Sequence, residues 1–182
     1  MRLFVAIRLP TEEQQAIATW TRELREAFLH LRWSSPEQWH VTLQFLGETD
    51  ETRFSCVAER LGQIRSDTAD IQLEEPGFFE RAGVFHISVR LTPSLLTLHH
   101  AIEQALLPCG FEPEARPFAP HITLARRKGR VPSPDFARLQ KAVQLGRAAR
   151  LPSFQAKEFL LYQSFTDPTG SRYEVRERFP LI

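Results

Sequence analysis

Long apolar runs are missing from this 182-residue chain. No stretch approaches the ~20 apolar residues that a membrane-spanning helix needs, so no membrane partner is expected. Sulfur is scarce too. Cys56 and Cys109 are the only cysteines, too few for a secreted disulfide scaffold. The expectation is unpaired or buried thiols in a reducing cytoplasm. A secretory leader is not expected, because the opening run Leu3–Ile7 is short and Arg8 interrupts it. There is no glycine-rich phosphate loop and no low-complexity segment. Nor is there an excess of one charge: 23 basic residues balance 22 acidic ones, for a net +1. That balance excludes a broad electrostatic grip on duplex nucleic acid but leaves room for a pocket that holds one phosphate.

What is present is an ordinary core. Hydrophobic residues are 42% and charged residues 25% of a chain long enough for one compact domain or two small fused lobes. Residues 2–9 read as a buried strand. Thr11 and Gln14 suit a capping box for a helix over 11–29, with Ile17, Trp20, Leu24 and Phe28 on its apolar stripe. Residues 39–46 read as a strand closed by Gly47, and Asp50 caps a second helix. Strands are expected at 70–74 and 84–91, and Pro93 opens a third helix. A strand at 120–126 follows, then a weak linker at 127–134. Ser133-Pro134-Asp135 starts another helix, and a terminal hairpin turns at Asp167-Pro168-Thr169-Gly170. Mixed helices and hairpins predict an α+β fold with antiparallel sheets.

Two segments echo each other: His40-Val41-Thr42-Leu43 and His121-Ile122-Thr123-Leu124, 81 positions apart. A lone His-x-Thr is weak evidence. Two copies of the extended tetrapeptide would arise by chance on the order of once in 10^5 trials. Strand side chains alternate faces, so each histidine shares a face with its threonine while the apolar pair turns to the core. If the two halves pack with approximate two-fold symmetry, both polar pairs meet in one cleft. Imidazole titrates near ~6.5, so one ring can accept a proton while the other supplies one. The two hydroxyls can donate to non-bridging phosphate oxygens. Neither strand carries the His-x-His or nearby carboxylate that zinc would favour, so no metal or other cofactor is expected.

The motifs extend further. Arg2-Leu3-Phe4-Val5-Ala6-Ile7, His40 through Gly47, and Arg116-Pro117-Phe118-Ala119-Pro120-His121-Ile122-Thr123-Leu124-Ala125-Arg126 together resemble the RNA 2′,3′-cyclic phosphodiesterases, or 2′-5′ RNA ligases, of the two-histidine phosphoesterase superfamily. The resemblance implies one two-lobed, pseudo-two-fold α+β domain over residues 1–182, its His-x-Thr strands facing a central cleft. It implies hydrolysis of terminal 2′,3′-cyclic phosphates on RNA to 2′-phosphates, with slow ATP-free 2′-5′ joining as the reverse. His40 would be the proton donor and His121 the acceptor, with Thr42, Thr123 and Arg126 holding phosphate. The implied partners are RNA ends bearing the cyclic phosphate, tRNA fragments included, or nucleotides. A cytoplasmic monomer is expected.

Arg126 sits awkwardly in that scheme. In a regular strand it would share the face of Ile122 and Leu124, away from His121, unless a bulge intervenes. His86-Ile87-Ser88 imitates the motif but lacks the following leucine. His99 and His100 would point apart on a helix, and His30 lies at a helix end. Phe4, Trp39, Phe45 and Phe118 could stack on a base, although core burial is the commoner fate of such rings. The rival readings are the same chemistry on another cyclic phosphate or a 2′-5′ oligonucleotide, and a non-catalytic RNA-end binding module.

Overall fold

The structure is a computed structural model and describes residues 1–129, 134–146, 150–167 and 170–182. It is α+β with antiparallel sheets, as the mixed patterning predicts. Strand β1 (Arg2–Arg8), helix α1 (Thr11–Ala27), strand β3 (His40–Glu48) and helix α2 (Glu51–Gly62) form one half. The second half repeats the order with β6 (Val84–Val89), α3 (Pro93–Leu106), β7 (His121–Arg126) and α4 (Pro134–Leu145). The short β2 (Arg32–Trp33) and the strand β5 (Leu73–Phe79) join the second half. The long hairpin β9 (Glu158–Asp167) and β10 (Gly170–Pro180) completes the first, and β4 (Ala69–Ile71) pairs separately with β8 (Phe154–Ala156).

The two four-stranded sheets run β10-β9-β1-β3 and β2-β7-β6-β5, with every pairing antiparallel. Strands β3 and β7 come together, which brings the sheets side by side. One apolar core unites both halves, drawing Val5, Ile7, Val41 and Leu43 from one sheet and Phe85, Ile87, Ile122 and Leu124 from the other. Alternation along β9 works as period two requires. Phe159 and Leu161 enter this core, while Leu160 and Tyr162 join Phe4 and Ala6 in a second apolar cluster on the opposite face.

Local signals held at several element ends. The Asp50 side chain accepts from the Arg53 amide, and Thr92 caps α3 through the Leu95 amide. The start of α1 differs from the capping-box expectation. Pro10 occupies the N-cap, Thr11 is already helical, and the Gln14 side-chain amide donates to the Leu9 carbonyl at 2.8 Å. Proline's fixed φ suits that position without a side-chain cap. The Ser133 helix start, the linker's 130–133 and the hairpin's Pro168-Thr169 lie outside the described residues.

The thiol expectation is overturned: Cys56 of α2 and Cys109, just after α3, form a disulfide with Cα atoms 5.7 Å apart. Their proximity comes from helix packing across 53 residues, which cysteine scarcity alone cannot reveal. The junction is reinforced by Arg53, whose guanidinium donates to the Cys109 and Gly110 carbonyls and lies 4.0 Å from the Phe111 ring.

Candidate functional site

Each motif strand carries the same irregularity. In β3 the register against β1 slips between Ala6↔Thr42 and Val5↔Gln44, so Leu43 is the extra residue. In β7 the register against β6 slips between His86↔Thr123 and Phe85↔Ala125, so Leu124 is extra. The burial of the first six residues of β3 matches that of β7 residue for residue, with histidine and threonine half-buried and the sixth residue exposed. A bulge resets the alternation. Phe45 and Arg126, each five places beyond its histidine, therefore turn to the face that carries the histidines and threonines. This is the bulge that Arg126 needs to reach the cleft.

The two imidazoles are held alike. The His40 Nδ1–H donates to the Gln38 carbonyl at 2.6 Å, and the His121 Nδ1–H donates to the Ala119 carbonyl at 2.9 Å. Tying Nδ1 to a carbonyl two residues upstream leaves Nε2 of each ring for the cleft. Thr42 and Thr123 lie on the same face, and neither hydroxyl bonds another described residue. Both can serve a ligand.

The walls differ. His40 sits among Phe4 at 4.9 Å, Tyr173 at 5.2 Å and Tyr162 at 6.1 Å between ring centroids. Arg8, directly opposite His40 on β1, donates from Nε to the Tyr162 hydroxyl at 3.2 Å. The terminal hairpin thus forms part of the wall, and the Gln38 amide pins it by donating to the Ser171 carbonyl. His121 instead meets Phe79 edge-on at 4.9 Å and His86 at 5.3 Å, while Phe79 and His86 stack at 4.0 Å. Gly77, opposite His86, makes room for that ring: a Cβ there would lie 2.7 Å from the His86 Nε2.

Electrostatics follow from this packing. Desolvation pushes His40 down to about 4, the Gln38 carbonyl opposes the shift, and the charges of His121 and Arg126 add to it. His121 also lies below its ordinary value, chiefly through burial and further through Arg126. Arg126 is thus felt at both rings. His86 is held down to about 4 by burial first and His121 second. Both cleft rings are thereby biased toward the neutral form near pH 7. Among the described residues, no three His, Cys, Asp or Glu side chains converge as a metal-binding group.

This arrangement has known relatives. The family model of the 2′-5′ RNA ligase superfamily matches residues 7–164. The chain belongs to the 2′-5′ RNA ligase superfamily. It is 30% identical to the RNA 2′,3′-cyclic phosphodiesterase of Geobacillus stearothermophilus over 98% of this chain, spanning 57% of that relative's length. It is 30% identical to the enzyme of the same name from Thermotoga maritima over 96% of this chain and 92% of the relative. The crystal structure of Escherichia coli LigT in apo form superposes with a TM-score of 0.80 at 27% identity, covering 99% of this chain and 96% of that one. LigT has also been solved with 3′-AMP.

Within this superfamily member, the structure brings together His40, His121, Thr42, Thr123 and Arg126. It also brings His86 beside His121, although its motif lacks the leucine echo. The register explains this: β6 pairs with β7, so His86 faces Thr123 and Ser88 faces His121. A third His-x-Ser/Thr run on a strand was the available signal; adjacency of its strand was not readable. Of the aromatic candidates, Trp39 is fully buried and Phe118 stacks on His99 at 3.8 Å. Phe4 is buried beneath His40 and Tyr162, while Phe45 alone stays open at 61% exposure. His99 and His100 do not part as adjacent helical residues were expected to: His100 is the more exposed, yet both Nδ1 atoms reach the Glu103 carboxylate, at 3.7 and 3.8 Å.

Proposed function

We propose that this chain hydrolyses terminal 2′,3′-cyclic phosphates on RNA to 2′-phosphates. The observation that carries the reading is the matched pair of Nδ1-anchored imidazoles, one from each half, with electrostatic contact between them across one cleft. The cyclic diester lies between Thr42, Thr123 and Arg126, whose donors hold its non-bridging oxygens. His121, neutral, takes a proton from water as the oxygen attacks phosphorus. His40, protonated with the anion in place, gives its proton to O3′ as the P–O3′ bond breaks. The 2′-phosphate remains, and the two rings have exchanged protonation states. A 5′-hydroxyl in place of water would give 2′-5′ joined RNA in the same geometry without ATP. The relatives' shared name supports the substrate class. The chain would act as a monomer on RNA ends or nucleotides.

The test uses a nucleoside 2′,3′-cyclic phosphate and a p-nitrophenyl phosphodiester. His40→Ala and His121→Ala should each lower kcat on the cyclic phosphate by about 10^2-fold or more, the usual worth of a general acid or base. On the p-nitrophenyl ester, whose leaving group needs no proton, the His40→Ala loss should shrink below about tenfold while the His121→Ala loss stays. Full activity of either variant on the cyclic phosphate refutes the acid–base roles.

A further inference from the structure

Strand β2 has only two residues, yet it is firmly anchored. Trp33 packs edge-on to Phe85, and its indole N–H donates to the Phe28 carbonyl at 2.9 Å. The Ser34 amide donates to the Leu124 carbonyl at 2.8 Å, and Arg25 holds the Ser34 carbonyl at 2.8 Å. These bonds fix the register in which Trp33 opposes Ala125 and Arg32 opposes Arg126.

Directly opposed residues of an antiparallel pair share a face. Ala125 is fully buried in the core and Trp33 packs against it. Arg32 and Arg126 therefore point the other way, to the cleft side. Both are exposed, and neither makes a hydrogen bond or ion pair with any described residue. Like charges directly opposite each other destabilise a sheet. Nearby arginines show the contrast: Arg127 is spent on the Glu80 and Arg81 carbonyls, and Arg90 on Glu74. A rigid, uncompensated arginine pair at the edge of a phosphate cleft is a site awaiting an anion, since guanidinium forks suit phosphate oxygens.

We propose that Arg32, beside Arg126, forms a seat for a second phosphate, the one on the 5′ side of the nucleotide whose cyclic phosphate reacts. The assignment rests on the activity proposed above. Arg126 reaches the reacting phosphate from β7. Arg32, one strand further out at ~4.8 Å spacing, is placed for the next anion along the chain. The shared chemistry is an O5′-linked phosphate, supplied either by a preceding nucleotide or by a free 5′-phosphate.

Three substrates test this: cytidine 2′,3′-cyclic phosphate, its 5′-phosphorylated form, and the dinucleotide CpC ending in the cyclic phosphate. Arg32→Gln should lower kcat/KM about tenfold on the second and third, mainly through KM, a loss typical of one charge-assisted contact. The first substrate should stay within about twofold, which also reports that the fold is intact. The salt slope of log kcat/KM on the dinucleotide should fall by about one. Arg32→Lys should lie between, keeping the charge but losing the fork. Loss confined to the dinucleotide identifies the internucleotide phosphate as the ligand, and loss on both identifies either source. Equal losses on all three substrates, or no loss on any, overturns the seat. Wild-type inactivity on the first substrate would instead refute the parent reading.

Discussion

Separate pH titrations of kcat/KM and kcat probe the cleft directly. An acid–base pair needs one protonated and one neutral ring. In the free protein His40 is pushed down to about 4 by burial, and His121 also lies below its ordinary value. kcat/KM reports the free protein and kcat the complex. Whichever ring gives the proton, the kcat/KM bell is bounded by two depressed values that belong to the pair, so its maximum falls below pH ~6.5. In the complex a phosphate anion lies against both rings. At ~4 Å and an effective dielectric constant of ~20, its attraction for an imidazolium is about 4 kcal/mol. At ~1.36 kcal/mol per unit, that is roughly 3 units, enough to let His40 hold its proton close to pH ~7. The kcat bell should therefore be centred at least about one unit above the kcat/KM bell. Initial rates on a cyclic mononucleotide across this range, at constant ionic strength, give both curves. Superimposed bells centred above pH ~7 would show that the substrate does not load the proton.

Three further outcomes follow from the packing. Gly77→Ala drives a methyl toward the stacked His86 ring, so unfolding should cost about 1–3 kcal/mol less and kcat should fall as His121 is displaced; unchanged denaturant midpoint and kcat would remove Gly77 from the account. His40 and His86 are both held near 4, so the unfolded chain binds protons that the folded chain refuses. Stability is then full above pH ~6.5 and declines as pH falls toward ~4, by about 3 kcal/mol for each ring, and His86→Phe should remove about that much of the acid sensitivity in urea melts at the two ends of that range. Reducing Cys56–Cys109, which closes 53 residues, should cost about 4 kcal/mol. That corresponds to ~10 °C in Tm for a chain of this size; a change below ~2 °C on adding reductant would mean that Arg53 and its neighbours already hold the junction.

The repeat of His-x-Thr-Leu was legible because it needs only residue identity and the two-residue alternation of a strand. Helix starts at Asp50 and Pro93 were legible for the same local reason. What escaped were properties of pairing. The bulges at Leu43 and Leu124 depend on how β1 and β6 hydrogen-bond to their neighbours, so the direction of Arg126 could not be settled from spacing. The place of His86 beside His121 escaped because it comes from β6 pairing with β7, not from its own neighbours in sequence. The two-residue β2 is too short to leave a periodic signal, and its opposed arginines exist only through register. The disulfide depends on the packing of α2 against α3.

The twin bulges also bear on how the two halves can diverge. The backbone alone delivers the side chain five places past each histidine into the cleft, so substitution there alters what the cleft offers without relaying either strand. One half fills that station with a bare ring and the other with a permanent cation. A repeated scaffold can in this way grow an apolar end and a cationic end by single-residue exchange, while the paired imidazoles keep their alignment.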